Sequence, residues 1–323
     1  MIRSFVKETV FPEGSVTPSC HAATVLPLPE GGVLAAWFGG SSEKADDVNI
    51  YVSDRNASGV WSAPRRVSED DGVANWNPVL YRQTDGTALL FYKYGREIAD
   101  WFTLVCRSSD GGRTWTAPEE LVPGDRSGGR GPVKNKCLRL ENGTLLAPAS
   151  TERGGRWQPF IDVSADDGAT WRANPPMERV KYKGAYVGLI QPTLWTDAPG
   201  SVHTLMRSNK GALYRSDSSD WGATWSRPKR TRIPNNNSGI DCAADADGRL
   251  WLLSNPVAEN WGARYPLSLS VSLDQGNRFT EVLRVEAEKG EYSYPSVVFD
   301  GGCLHAVYTW NRRTIKYIRI ETE

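Results

Sequence analysis

The chain has 323 residues, 39% hydrophobic and 24% charged, which excludes a disordered or collagen-like chain and is enough to bury a sizeable core. Its 38 Lys and Arg balance 38 Asp and Glu, so no global field would draw it to nucleic acid or an anionic membrane. No stretch of 18 apolar residues exists, so no apolar helix spans a bilayer.

In chain order, the start (residues 1–14) lacks the apolar core of a signal peptide and reads as a strand. Six apolar runs follow, each broken by a turn: 25–38, 78–92, 137–150, 192–206, 243–254 and 295–310. Each reads as two strands joined by a hairpin. A third strand then leads into a second turn, and a short fourth strand follows. Three of these second turns share one pattern, S-x-D-x-G-x-T-W: Ser108 to Trp115, Ser164 to Trp171 and Ser218 to Trp225. A fourth copy runs from Ser272 to Phe279, and a worn fifth from Ser53 to Trp61. The closing aromatics Trp61, Trp115, Trp171, Trp225 and Phe279 are spaced 54, 56, 54 and 54 residues apart. At that period the chain holds about six units. The last strand ends the chain, so the N-terminal strand is expected to complete the sixth unit and remove an exposed edge.

Four strands per unit is the size of a propeller blade. The expected fold is all-β: one six-bladed β-propeller over residues 1–323, with four-stranded antiparallel blades. The Ser, Asp and Gly of the repeated turn suit a tight hairpin, and its Trp suits the gap between blades. The motif is therefore architectural.

In a propeller the innermost strands start at the central channel. Those starts are polar here: 19–22, 75–78, 133–136, 190–192, 235–241 and 292–295. Lys93, Arg96, Lys134, Lys136, Arg207 and Arg264 fall in or just after them. On a neutral chain, that concentration points to an anionic ligand group such as a carboxylate. Trp76, Asn237, Asp241 and Tyr294 are further candidate ligand contacts.

The repeated turn is the Asp box, and the whole chain resembles the sialidase superfamily of six-bladed, BNR-repeat propellers. The resemblance implies three arginines on a substrate carboxylate, a tyrosine nucleophile activated by a glutamate, and an acid/base carboxyl on a loop. Tyr292 matches the tyrosine, in a segment running from Tyr-Ser to Asp-Gly, with Tyr294 beside it. Arg207 and Arg264 match two of the arginines. The first arginine is replaced by the segment Cys20-His21-Ala22-Ala23, with His21 at or beside its place. Gln191 stands where the glutamate would be and cannot act as a general base. Glu43 or Asp47 is the expected loop acid. His21, at a strand mouth, is suited to proton transfer.

Three functions follow as expectations. The first is an exo-glycoside hydrolase (exo-alpha-sialidase in type) acting on a terminal acidic sugar, sialic acid or a related keto-sugar acid. The second is a lyase or unusual glycosidase acting beside a uronate through His21 and Tyr292. The third is a non-catalytic carbohydrate-binding propeller. The expected partner is an acidic carbohydrate, with no nucleic acid and no membrane insertion. Three histidines without H-x-x-x-H spacing and the lack of a phosphate-binding glycine loop predict no metal and no cofactor. Five cysteines without a C-x-x-C pair predict buried free thiols. They place the chain in the cytoplasm, or in the periplasm or outside the cell if a leader has been removed.

Overall fold

The computed structural model describes residues 2–322. All regular structure among them is β, and it forms six four-stranded antiparallel sheets. The first blade runs outward from the inner strand Ser19–Pro27 through Val33–Gly40 and Asn49–Arg55 to Arg65–Arg66. The next four repeat this order, with inner strands Asn75–Arg82, Leu138–Arg139, Leu189–Ala198 and Asp241–Ala244. The sixth combines Tyr292–Asp300, Cys303–Trp310 and Thr314–Thr322 with Ile2–Thr9, which pairs antiparallel with Thr314–Thr322. One small element lies outside the blades, a ribbon of Lys181–Tyr182 and Ala185–Tyr186. Among the described residues no helix is long and apolar enough to cross a membrane.

The blades pack face to face, so both faces of most strands are buried. Val33–Gly40 is buried throughout, which explains why its sequence lacks a clean alternation. One apolar cluster runs from Leu34 and Ile50 in the first blade through Trp76 and Leu90 in the second to Ala149 and Phe160 in the third. All five cysteines are buried and free.

The Asp boxes show how a short motif spaces the blades. In the box at 218–225, Asp220 accepts bonds from the Thr224 amide at 2.9 Å and from the hydroxyls of Ser218 and Thr224 at 2.7 and 2.5 Å. Ser218 Oγ accepts from the Gly222 amide, and Trp225 Nε1 donates to the Gly222 carbonyl. The boxes at 108–115 and 164–171 repeat this network. Gly222 has φ +82°, and a Cβ there would lie 2.6 Å from Leu146 of the preceding blade. The box glycine is thus both a turn residue and a close inter-blade contact. Burial would raise the Asp220 carboxyl, but the bonds from Thr224 and Ser218 outweigh it and hold it below the usual range.

Asp220→Ala is expected to destabilise the fold by about 1–2 kcal/mol by unpairing the Thr224 and Ser218 groups. Thermal denaturation should show a midpoint lower by a few degrees, and an unchanged midpoint would mean the box adds nothing to stability.

Candidate functional site

Four inner strands carry the same irregularity just inside their starts. Register shifts fall between His21 and Thr24, Trp76 and Val79, Ile190 and Thr193, and Ser293 and Ser296. At each bulge one non-glycine residue adopts positive φ: Ala22 at 52°, Asn77 at 43°, Gln191 at 52° and Tyr294 at 52°. In three of the four, proline follows and removes a ladder donor where the pairing is already broken. Strain of this kind costs of order 1–3 kcal/mol per residue and concentrates at functional sites. Its effect here is to re-aim side chains at the channel mouth.

Arg207 is central to the site. It lies on Ser201–Ser208, paired with Ile190, and is only 3% exposed. Its Nη1 donates to Tyr294 Oη at 2.6 Å and to Gln191 Oε1 at 3.0 Å, and its Nε donates to Asn237 Oδ1 at 3.1 Å. The Asn237 amide is fixed in turn by Asn260 Oδ1 at 3.0 Å. Every one of these acceptors is neutral. Among the described residues no carboxylate pairs with Arg207. A buried cation without a counter-charge is costly, and an incoming carboxylate would neutralise it. Trp157 and Tyr294 flank the guanidinium at 5.7 and 5.6 Å.

Two more guanidiniums stand nearby. Arg264 Nη1 and Arg312 Nε share Glu291 Oε1 at 2.7 and 2.6 Å. Arg312 Nη1 also donates to Glu43 Oε2 at 2.6 Å. Burial would raise the Glu291 carboxyl, but Arg312 and Arg264 outweigh it and hold it below the usual range. Arg264 lies 5.6 Å from the centre of the Tyr294 ring.

His21 lies among these cations. Its ring is 4.2 Å from that of Tyr294, and its Nδ1 is 2.9 Å from Thr309 Oγ1. Burial, together with the charges of Arg312, Arg264, Lys134 and Arg207, pushes its pKa well below the ordinary value. His21 is therefore neutral near neutral pH.

The two tyrosines separate clearly. Tyr294 touches Arg207 and His21. Tyr292 is buried in an apolar cluster, its ring 6.4 Å from Trp310, and burial with Glu286 and Glu288 raises its phenol pKa. The bulge explains the difference, because it turns Tyr294 toward the channel. Gln191 lies at the bulge of its strand, and its Oε1 accepts from Arg207. Of the two loop carboxyls, Asp47 bonds the amide and hydroxyl of Ser41, while Glu43 faces Arg312.

The remaining candidates hold the ring together. Lys93 is fully buried, donating to Thr103 Oγ1 and the Arg130 carbonyl, and burial pulls its pKa to about 7. Lys134 donates to Asn135 Oδ1 and to the carbonyls of Ile240 and Pro295, and burial likewise lowers it to about 7. Lys136 pairs with buried Asp241 at 3.0 Å. Arg96 pairs with Asp46 on the exposed surface. Trp76 is packed between Phe38 and Trp101 and donates to the Gly95 carbonyl.

Four residues at the site escaped sequence reasoning: Arg312, Glu291, Glu152 and Trp157. Arg312 sits in a turn between two strands and belongs to no motif. The Glu-Tyr-Ser-Tyr spacing could have flagged Glu291. Glu152 faces Trp157 across a hairpin. Burial raises its carboxyl pKa, with Arg207 and Lys44 opposing. A cavity of about 500 Å³ lies elsewhere, at the turn end of the first and sixth blades. Its arginines Arg55 and Arg319 are already paired with Glu8 and Glu321, so the uncompensated Arg207 is the better indicator of an anion site.

Comparison with known proteins agrees with this architecture. No curated protein matches the chain. Among solved structures, the Hadza microbial sialidase Hz136 superposes with a TM-score of 0.82 at 17% identity, over 98% of this chain and 68% of that one. A protein of unknown function from Dyadobacter fermentans gives 0.79 at 16%, over 100% and 99%. Trypanosoma rangeli sialidase, in complex with the inhibitor DANA, gives 0.76 at 14%, over 99% of this chain and 60% of that one. At these identities the likeness is one of fold. The BNR repeat-like domain matches residues 31–306, and the chain accordingly belongs to the BNR repeat-like family, with the six-bladed propeller fold of the sialidases.

Proposed function

We propose that the chain is an exo-acting glycoside hydrolase that releases a terminal acidic sugar, sialic acid or a related keto-sugar acid. The observation that carries this reading is Arg207: a nearly buried guanidinium bonded only to neutral groups, in contact with a tyrosine hydroxyl. Arg264 and Arg312 stand nearby but are offset by Glu291 and Glu43, so the charge left for a ligand is that of Arg207. The substrate carboxylate binds Arg207.

In the proposed reaction, Tyr294 Oη attacks the anomeric carbon as the glycosidic bond breaks. A phenol is a suitable nucleophile here because a carboxylate would be repelled by the bound substrate carboxylate. The phenol proton passes to neutral His21, since Gln191 cannot accept it. Binding of the anion offsets the surrounding cations and makes His21 more basic at the moment it is needed. Glu152 protonates the leaving oxygen. Its raised pKa suits a proton donor, whereas Glu43 is ion-paired and Asp47 is tied to its own loop. Water then attacks the tyrosyl-linked sugar, Glu152 takes its proton, and Tyr294 is released as its oxygen recovers the proton held by His21.

The test of the whole reading is product analysis on sialosides, other keto-sugar-acid glycosides and uronate oligosaccharides. Release of the free acidic sugar is expected. An unsaturated, ultraviolet-absorbing product, or no turnover on the full panel, would overturn it. Tyr294→Phe should lower kcat about a hundredfold or more, while Tyr292→Phe should retain most activity. The reverse pattern would move the nucleophile to Tyr292. Arg207→Met should weaken binding of the free sugar acid by about 2 kcal/mol or more, measured calorimetrically on a variant with unchanged circular dichroism. A donor must be protonated to act, so activity should fall as pH rises through the raised pKa of Glu152. Glu152→Gln should remove that alkaline limb and lower kcat by about 10²–10⁴-fold. An unaltered pH profile would exclude Glu152 as the acid.

A further inference from the structure

The connection between the third and fourth blades carries an element that the repeat does not contain. The ribbon Lys181–Tyr182 with Ala185–Tyr186 turns at Lys183 and Gly184. It joins the outer strand Arg172–Ala173 to the inner strand Leu189–Ala198, so it lies at the end of the ring where the inner strands start. Arg230, from the neighbouring strand Lys229–Pro234, sits 4.8 Å over the Tyr182 ring and ties that strand to the ribbon.

These two segments concentrate charge of one sign. Residues 179–186 and 229–234 contain Arg179, Lys181, Lys183, Lys229, Arg230 and Arg232, and no Asp or Glu. None of the six forms an ion pair among the described residues. Five are exposed and Arg179 is half-buried. Elsewhere in this net-neutral chain most buried or half-buried arginines have carboxylate partners, such as Arg55 with Glu8 and Arg130 with Asp162. The cations are also restrained. Arg179 lies 3.8 Å over the Tyr186 ring and Lys181 4.9 Å from it, while Lys183 lies 5.5 Å from the Tyr182 ring. Holding long side chains against aromatic faces reduces the entropy lost when they bind an anion.

The ribbon also shares a wall with the Arg207 pocket. Gly188 comes two residues after it, and a Cβ there would lie 3.0 Å from Trp157 Cε3. Trp157 in turn faces the Arg207 guanidinium. Trp261, 63% exposed, packs edge-on against Trp157 and adds an open aromatic face beside it.

We infer that this basic ribbon is a second binding surface, and that its ligand is a polyanionic glycan, a chain of uronic or other acidic sugars running away from the pocket. The choice of a glycan over other polyanions rests on the reading of the pocket as an acidic-sugar site. Carboxylates along the chain meet the unpaired cations, and sugar faces meet Tyr186 and Trp261. The surface adds affinity for long substrates without touching the reacting bond.

The test compares the intact chain, the triple variant Lys181→Ala, Lys183→Ala, Arg230→Ala, and Arg207→Met. The probes are polygalacturonate, dextran, a single-stranded oligonucleotide, anionic lipid vesicles and free monomeric sialic acid, at two salt concentrations. The triple variant is expected to lose about tenfold or more in polygalacturonate affinity, with a shallower salt dependence and unchanged sialic acid binding. Arg207→Met should show the opposite pattern, so failure of the ribbon and failure of the pocket are read separately. Undiminished polygalacturonate binding by the triple variant overturns the inference. So does equal binding of dextran, or tighter binding of the oligonucleotide or the vesicles than of polygalacturonate.

Discussion

Closure of the ring is the constraint on which the site depends. Ile2–Thr9 completes the blade formed by the last three strands, and this brings the two ends of the chain into register. The Cys20 amide then donates to the Arg312 carbonyl at 2.9 Å. His21, from the start of the chain, thereby comes to lie among Arg264, Tyr294 and Arg312, from near its end. Parting the first and sixth blades would separate these groups while leaving each blade's own hydrogen bonds intact.

The same closure leaves little of the channel's charge free. Asp241 is fully buried and accepts from Lys136, the Thr193 hydroxyl, and the amides of Cys242 and Val297. Those partners come from the segments that open the third, fourth, fifth and sixth blades. Lys134 makes a similar junction between the third blade, the fifth and the sixth. Lys93 and Lys134 are also bonded only to neutral groups, but these include backbone carbonyls that join segments of the ring; Arg207 stands out because its neutral partners are side chains at the strand mouths, Tyr294, Gln191 and Asn237. A desolvated cation held in this way is prepared for an anion before one arrives, and little reorganisation is needed on binding.

The bulges link architecture to chemistry. Regular inner strands would alternate their side chains between the two faces of a packed sheet. One positive-φ residue per bulge breaks that alternation. Tyr294 reaches Arg207 by this means, while Tyr292, two positions earlier, stays in the apolar layer. The sequence reading placed the nucleophile at Tyr292 by motif, with Tyr294 as neighbour. Strand periodicity cannot separate residues two apart, because both belong to the same face until the backbone departs from it. Lys93 and Trp76 illustrate the same limit: polar or aromatic residues near a strand mouth face either the channel or the seam between blades, and register alone does not say which.

What the sequence by itself determined was the architecture. A turn motif recurring every 54 to 56 residues carries its own local hydrogen bonds, and local bonds are legible from local residues. Arg207, Arg264, His21, Gln191 and Tyr294 were legible as candidates because they stand at strand mouths or in motif-like segments. Only the tertiary structure decided that Arg312 joins them, that Glu291 bridges Arg264 to Arg312, and that Trp157, opposite Glu152 in its hairpin, flanks Arg207. It also decided that Lys93, Lys134 and Lys136 tie the ring together rather than face an open cleft. The physical reason is that charge partnership is a property of distance across blades, and distances between blades are set when the ring closes.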